Sequence, residues 1–299
     1  MLKVAPDSPD GTNVTTCPQP VAVVTDSTAY LPTGVAERYG ITVVPLNVKT
    51  AEKTSLEGVE LSPQQFAAWI TAPGRTASTS PPSAATFKAA YESTGAADVV
   101  SIHLSGRLSG TRESAVTAAY DLADSGRCRV KVVDSRQTAM GLGFAVLAAA
   151  ECAAAGGDVF DVAAAAETSS RRTSMIFYVE TLEYLRRGGR IGGAAALLGT
   201  ALDIKPLLHL VNGVIEPLTK VRGGTKALAR LEDTVVAEAG NSQVDICVHH
   251  LAAQDGADAL GERLRQRLPG LHSLHQSEVG AVVGAHVGPG LLGVVVHHR

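Results

Sequence analysis

The first half of the chain alternates short apolar runs with amphipathic stretches. The apolar runs predict four buried strands, at Val21–Val24, Ile41–Leu46, Val99–Leu104 and Arg129–Val133. Helical spacing and start signals predict helices over Val35–Tyr39, after Ser62, after Ser83, from Thr111 and over residues 139–155. Strands that alternate with helices are typical of a parallel α/β sheet, which gathers ligands at the carboxyl ends of its strands.

The second half has a different rhythm, with a hairpin signal at Asn212-Gly213 between two apolar runs. The remaining pattern predicts helices near 158–172, 225–239 and 256–267, strands at Met175–Val179 and Asp245–His249, and two final strands. This mixture predicts an α+β domain. We therefore divide the chain into a flexible extension (1–20), an N-terminal domain (21–172) and a C-terminal domain (173–299).

Composition narrows the class of protein. Of the 299 residues 45% are hydrophobic and 18% charged, and the net charge of −3 argues against a nucleic-acid binder that relies on a general basic field. The four cysteines form no CxxC pair, so neither a zinc site nor a disulfide framework is predicted. With no apolar run of about 18 residues and no signal-peptide core, the expected location is cytoplasmic.

Hydroxyl-rich turns are the first candidate site. Thr25-Asp26-Ser27, Thr79-Ser80, Ser105 and Ser109-Gly110-Thr111 each lie at a predicted strand end, turn or helix start. Hydroxyls and free backbone N–H groups there can point at one anion. The alternative is that Ser109 and Thr111 only cap a helix.

Other chemistries find little support. No Gly-x-Ser-x-Gly elbow and no phosphate-loop motif occurs, and His103 alternates with apolar residues, which favours a structural role. The adjacent pairs His249-His250 and His297-His298 lie on predicted strands, where neighbours point to opposite faces and cannot easily chelate one ion. We predict no catalytic residue, metal or cofactor. His286, before a Gly-Pro-Gly turn in a β-rich stretch, is either a polar site group or structural.

The stretch EYLRRGGRIGG at 183–193 contains three arginines. Arg186 and Arg187 fit the last turn of a short helix closed by Gly188, where positive charge suits the helix dipole. Arg190 lies outside that helix, between a glycine and an isoleucine. It is a candidate clamp for a carboxylate or a phosphate.

The motifs together resemble the DegV family, whose characterised members are fatty-acid-binding subunits of bacterial fatty acid kinase. The resemblance spans residues 21–297 and rests on VVTDST (23–28), TSPPS (79–83), LSGRLSGT (104–111), VVDSRQTAMGLG (132–143), LEYLRRGGRIGGAAALLGTALDIKPLL (182–208) and HVGPGLLG (286–293). It implies an N-terminal parallel Rossmann-like α/β domain, a smaller mixed α+β C-terminal domain, and a long acyl chain buried between them.

The resemblance also implies a non-enzymatic role, in which the carboxylate of a long-chain fatty acid is presented to a separate kinase subunit, with transient membrane contact. The carboxylate-binding residues that it implies are Thr79, Ser80, Ser105, Ser109, Arg190 and His286. Pro81 and Gly106 depart from the family pattern, each with the loss of a polar side chain. The alternatives are a phosphotransferase or hydrolase acting on a small carboxylate or ester and, from the arginines alone, a nucleic-acid-binding regulator.

Overall fold

The computed structural model describes residues 21–123, 126, 128–198 and 204–299. Its strands are β1 (Val21–Asp26), β2 (Thr42–Val44), β3 (Asn47–Lys49), β4 (Thr54–Leu56), β5 (Ser78–Ser80), β6 (Asp98–His103), β7 (Arg129–Asp134), β8 (Thr173–Tyr178), β9 (Ile204–Val211), β10 (Val214–Arg222), β11 (Val244–His250), β12 (Leu271–Glu278) and β13 (Leu292–His298). Its helices are α1 (Val35–Tyr39), α2 (Pro63–Ile70), α3 (Ala84–Ser93), α4 (Thr111–Ala123), α5 (Met140–Ala154), α6 (Val159–Arg171), α7 (Glu183–Arg187), α8 (Gly224–Ala239), α9 (Gln254–Arg267) and α10 (Ala281–Val287).

A parallel four-stranded sheet forms the N-terminal part, in the order β2-β1-β6-β7. Successive side chains of a strand face opposite sides, so Val24 and Val99 pack against α3 and α4, whereas Val23 and Val100 pack against α5 and α6. Helices on both faces bury the sheet completely, which explains its nearly continuous apolar strands. The predicted α/β fold is confirmed here.

A mixed six-stranded sheet forms the C-terminal part, in the order β10-β9-β8-β13-β11-β12. Its neighbours are antiparallel except β11 and β12, which are parallel. The predicted hairpin joins β9 to β10, and Asn212 and Gly213 have φ angles of 49° and 80°, as a tight hairpin turn requires. Helices α8 and α9 cover one face, and α5 packs against the other.

A small antiparallel sheet, β4-β3-β5, lies beside α10. Two predictions were wrong here. The strand predicted over Ile41–Leu46 is shorter and is followed by a separate strand, β3, and Thr79 and Ser80 lie in β5 rather than in a turn. Three residues are too few for periodicity to reveal a strand, and pairing with β3 supplies the hydrogen bonds that form β5.

His286 lies in helix α10, so its predicted place in a β-rich stretch was wrong. The segment Ala281–Val287 is apolar at six of its seven positions, and an apolar run this short has no period that separates helix from strand. Contacts with α2, α7, β3 and β5 decide its conformation.

The six-stranded sheet begins at Thr173, one residue after the predicted domain boundary. The exact division of the chain stays a prediction, and the predicted extension 1–20 lies outside the described residues. Among the described helices none is long and apolar enough to cross a membrane.

Candidate functional site

An apolar cavity of about 830 Å³ lies where the two large sheets and α10 meet. Its walls include aliphatic and aromatic side chains from β8, α7, the β9–β10 hairpin and α10, among them Phe177, Leu185, Ile215 and Val282. The polar side chains that line it are Thr79, Ser109, Thr138, Arg190, His249 and His286. No aspartate or glutamate lines the cavity within the described ranges, although an arginine does.

Arg190 reaches this cavity because the chain turns directly after α7. Gly189 has a φ of +70°, which favours glycine, and the backbone N–H of Arg190 donates to the carbonyl oxygen of Leu185 at 3.0 Å. The guanidinium is then fixed by two carbonyl oxygens, with Nε donating to Leu108 (2.9 Å) and Nη1 to Gly188 (2.6 Å). These acceptors orient the guanidinium without neutralising its charge.

Arg186 and Arg187 lie in the last turn of α7, as predicted, and point away from the cavity. Both donate to the carboxylate of Glu183 at 2.7 Å, and both side chains are about half exposed, at 52% and 53%. Their hydrogen bonds lower the pKa of Glu183 to about 2. Neighbouring arginines of one motif therefore differ, because two have a carboxylate partner and Arg190 has none among the described residues.

His286 and Thr79 meet across the cavity wall, with 2.9 Å between Nε2 and Oγ1. The other ring nitrogen, Nδ1, is buried without a hydrogen-bond partner in the described structure. It lies against Gly188, where any Cβ would overlap it. Burial and the nearby charge of Arg190 lower the pKa of His286 to about 4, so the ring is neutral at physiological pH.

The predicted hydroxyls separate into two groups. Ser109 lines the cavity, and its Oγ also accepts from the backbone N–H of Thr111 at 3.3 Å, so it caps α4 and faces the candidate site. Ser105 is fully buried and donates to the carbonyl oxygen of Gly213 at 2.8 Å, which joins the two large sheets. Ser80 is exposed. The structure therefore brings Thr79, Ser109, Arg190 and His286 to one cavity, without Ser80 or Ser105.

The two departures from the family pattern have clear local environments. Pro81 is exposed, and its carbonyl oxygen accepts from Asn47 Nδ2 at 3.3 Å. Gly106 donates from its backbone N–H to Asp134 Oδ1 at 3.2 Å, and a Cβ there would lie only 3.3 Å from Asp134 Oδ2. Neither residue lines the cavity.

Thr138 and His249 line the cavity but were not predicted as site residues. His249 accepts from the backbone N–H of Met140 at 3.2 Å, and its Nδ1 lies 3.0 Å from Ser277 Oγ. Burial lowers its pKa to about 4. A histidine on a continuously buried strand was a signal in the sequence, but its contact with the start of α5 exists only in the folded chain.

Comparison with known proteins places this architecture. The profile of a family described as "Uncharacterised protein, DegV family" matches residues 20–299. The chain belongs to the DegV family. A DegV domain-containing protein of Streptomyces coelicolor is 54% identical over 282 residues, which cover 93% of this chain and 99% of that relative. Protein DegV of Bacillus subtilis is 34% identical over 278 residues, covering 92% and 98%.

Solved structures of DegV proteins have the same fold. One from Thermus thermophilus, described by its fatty acid binding, has a TM-score of 0.86 at 34% identity and covers 93% of this chain and 99% of its own. DegV of Bacillus subtilis, described as a fatty acid binding protein, has a TM-score of 0.85 at 33% identity, with the same coverage. The resemblance of the motifs to the DegV family is thereby confirmed.

Proposed function

We propose that this DegV-family chain binds a long-chain fatty acid, with the acyl chain in the apolar cavity and the carboxylate at Arg190. The observation that supports this most directly is the guanidinium of Arg190, which lines an apolar cavity with no acidic side chain on its described walls. A charge removed from water is costly unless it is paired. A carboxylate ligand supplies the missing partner.

The size and lining of the cavity fit such a ligand. A volume of about 830 Å³ lies within the range of small-molecule pockets, roughly 300–1,000 Å³. Burial of about fifteen methylenes at about 0.8 kcal/mol each gives a gross gain of about 12 kcal/mol, before the cost of ordering the chain. The acyl chain thus provides affinity, and the polar end provides orientation.

The hydrogen-bonding groups also suit a carboxylate. Arg190 donates to it with charge assistance, and the hydroxyls of Thr79 and Ser109 add neutral donors. A neutral His286 donates from one ring nitrogen only, so it forms a directional contact and adds no second charge. The fatty acid binding described for the Thermus thermophilus and Bacillus subtilis proteins supports the same ligand here.

We further propose that the chain carries the substrate for a separate kinase subunit in the cytoplasm and does not itself form the acyl phosphate. Ser109 Oγ lies 2.9 Å from Thr111 Oγ1 and caps a helix, an arrangement that suits holding a carboxylate better than nucleophilic attack. Transient contact with a membrane would supply and remove the lipid.

Denaturing extraction of the purified protein, followed by mass spectrometry, tests the ligand. We expect a stoichiometric long-chain fatty acid, and uptake of labelled palmitate by delipidated protein. Absence of both would overturn the proposal. For the carrier role, the loaded protein should yield acyl phosphate only when a kinase subunit and ATP are added, and ATP-dependent product from the isolated chain would contradict it.

A further inference from the structure

Helix α10 supplies much of the cavity wall and the ring of His286, yet it has only seven residues. A helix this short is not stable by its own hydrogen bonds, so other elements must hold it in place. Its carboxyl-terminal end is held by the contact between His286 and Thr79 of β5. Its amino-terminal end has no side-chain cap of its own, because the preceding residue is Gly280.

Glu57 supplies the missing cap from another part of the chain. Its Oε1 accepts from the backbone N–H of Val282 at 2.7 Å and from the hydroxyl of Tyr30 at 3.1 Å. The same tyrosine hydroxyl accepts from the backbone N–H of Val283 at 3.4 Å. Both valines line the cavity, so these hydrogen bonds fix a segment of its wall.

The other carboxylate oxygen connects this cap to the rest of the wall. Ser27 donates to Glu57 Oε2 at 2.5 Å, and Ser27 Oγ accepts from the backbone N–H of Leu46 at 3.1 Å. Leu46 is itself a lining residue, and its carbonyl oxygen accepts from the backbone N–H of Glu57 at 3.0 Å. The carboxyl group is only 3% exposed, and burial raises its pKa to about 7.

Glu57 and Thr79 belong to one small sheet. Glu57 directly follows β4, Thr79 lies on β5, and both strands pair with β3. The sheet therefore grips α10 at both ends, through Glu57 at the amino end and through the hydrogen bond to His286 near the carboxyl end. A shift of the amino end of so short a helix would move the His286 ring.

We propose that Glu57 is a positioning residue, which holds helix α10 so that His286 meets the carboxylate of the bound lipid. The inference rests on the proposed function, because the group that is positioned is the carboxylate contact at His286. Glu57 itself touches no ligand. Its effect is expected on the recognition of the head group more than on burial of the acyl chain.

A comparison of palmitate with 1-hexadecanol separates these two effects, since the ligands share a chain length and differ at the head group. Affinities are measured by partition of each labelled lipid from methyl-β-cyclodextrin into the delipidated protein. We expect Glu57→Ala to lower the ratio of palmitate to hexadecanol affinity about tenfold, because a carboxylate held by misplaced donors loses its hydrogen bonds. Glu57→Gln keeps the oxygen that faces Val282 and should restore the ratio to within about threefold of the parent protein.

Two further variants complete the test. Gly280→Ala puts a Cβ where it overlaps Glu57 Oε1, at a backbone conformation (φ −72°) that alanine adopts freely, so it should act like Glu57→Ala even if the latter folds poorly. Glu52→Ala removes an exposed carboxylate next to the same small sheet and should leave the ratio unchanged. A ratio unchanged in both Glu57→Ala and Gly280→Ala, or an equal loss of both ligands, would overturn the inference.

The ¹⁵N signals of the His286 ring, assigned with His286→Asn, give a readout that does not depend on lipid binding. They should shift in Glu57→Ala and Gly280→Ala and stay in place in Glu52→Ala. If the parent protein bound no palmitate, the proposed function would fail, while these signals would still decide whether Glu57 positions His286. Unshifted signals in both variants would contradict that role.

Discussion

Two buried histidines of this protein have nearly the same first contact and opposite surroundings. The Nε2 atom of His103 lies 2.6 Å from Ser101 Oγ, and the Nε2 atom of His286 lies 2.9 Å from Thr79 Oγ1. His103 Nδ1 is also bonded, to Asp26 Oδ2 at 3.1 Å, whereas His286 Nδ1 has no partner in the described structure.

The charge nearest each ring separates the two regions further. Asp26 is paired at both oxygens, by the backbone N–H groups of Leu104 and Thr28 as well as by His103, and no cavity adjoins this cluster. Around His286 the nearby charge is the cation Arg190, beside an apolar cavity. A buried polar cluster with all its partners stabilises the fold, whereas a cluster that lacks an anion is suited to bind one.

The largest expected effect that tests this contrast is that of Arg190→Ala. Loss of the charged partner should weaken palmitate binding about 100-fold, since a buried carboxylate would then lack its counter-ion. Arg187→Ala, which removes an exposed arginine already paired with Glu183, should change affinity less than about threefold. Partition of labelled palmitate measures both. Equal losses would show that the two arginines have been assigned wrongly.

The second test concerns the cluster that we interpret as structural. His103→Asn removes one partner from Asp26 and one from Ser101, and should lower the free energy of unfolding by about 2 kcal/mol. The palmitate affinity of the folded variant should stay within about twofold of the parent protein. Urea unfolding and lipid partition measure the two quantities, and a large loss of affinity at unchanged stability would refute the structural role.

The third test inverts the second. His286→Asn should weaken palmitate binding about tenfold, because one directional hydrogen bond to the carboxylate is lost. Stability should change by less than about 1 kcal/mol, since His286 Nδ1 has no partner to lose. Threonine at position 79 stays in place in this variant. Unchanged palmitate affinity would remove His286 from the proposed site.

The smallest expected effect is on the pH dependence of stability. The pKa of His286 falls from its ordinary value of 6.5 to about 4 in the folded protein, so the unfolded chain takes up a proton first as the pH falls. The stability that neutral His286 contributes is complete above pH 6.5 and is lost progressively towards pH 4. Between pH 7.5 and 5.5 this loss should be about 1 kcal/mol.

Urea unfolding of ligand-free protein at the two pH values checks this, with His286→Asn as the control that lacks the titrating group. The parent protein should lose about 1 kcal/mol more than the variant. An equal change in both proteins would mean that His286 is solvated in the folded state.

Much of the architecture could be predicted because it depends on local pattern. The strands around Val21 and Val99 are buried on both faces and therefore apolar at nearly every position, and the Asn212-Gly213 turn depends on the backbone freedom of those two residues. The helix end at Arg186 and Arg187 follows from dipole and glycine preferences in the same way. Where the local preference is weak, as in β5 and α10, prediction failed because tertiary contacts decide the conformation.

The sequence by itself determined the family, the two sheet types and the special position of Arg190, because a charged residue between a glycine and an apolar residue already indicates a buried anion partner. Only the tertiary structure separated Ser105, which bridges to Gly213, from Ser109, which faces the cavity. It also brought Glu57 to Val282, 225 residues away in the chain. Hydrogen bonds between distant segments have no local signature, since each partner alone is an ordinary polar residue.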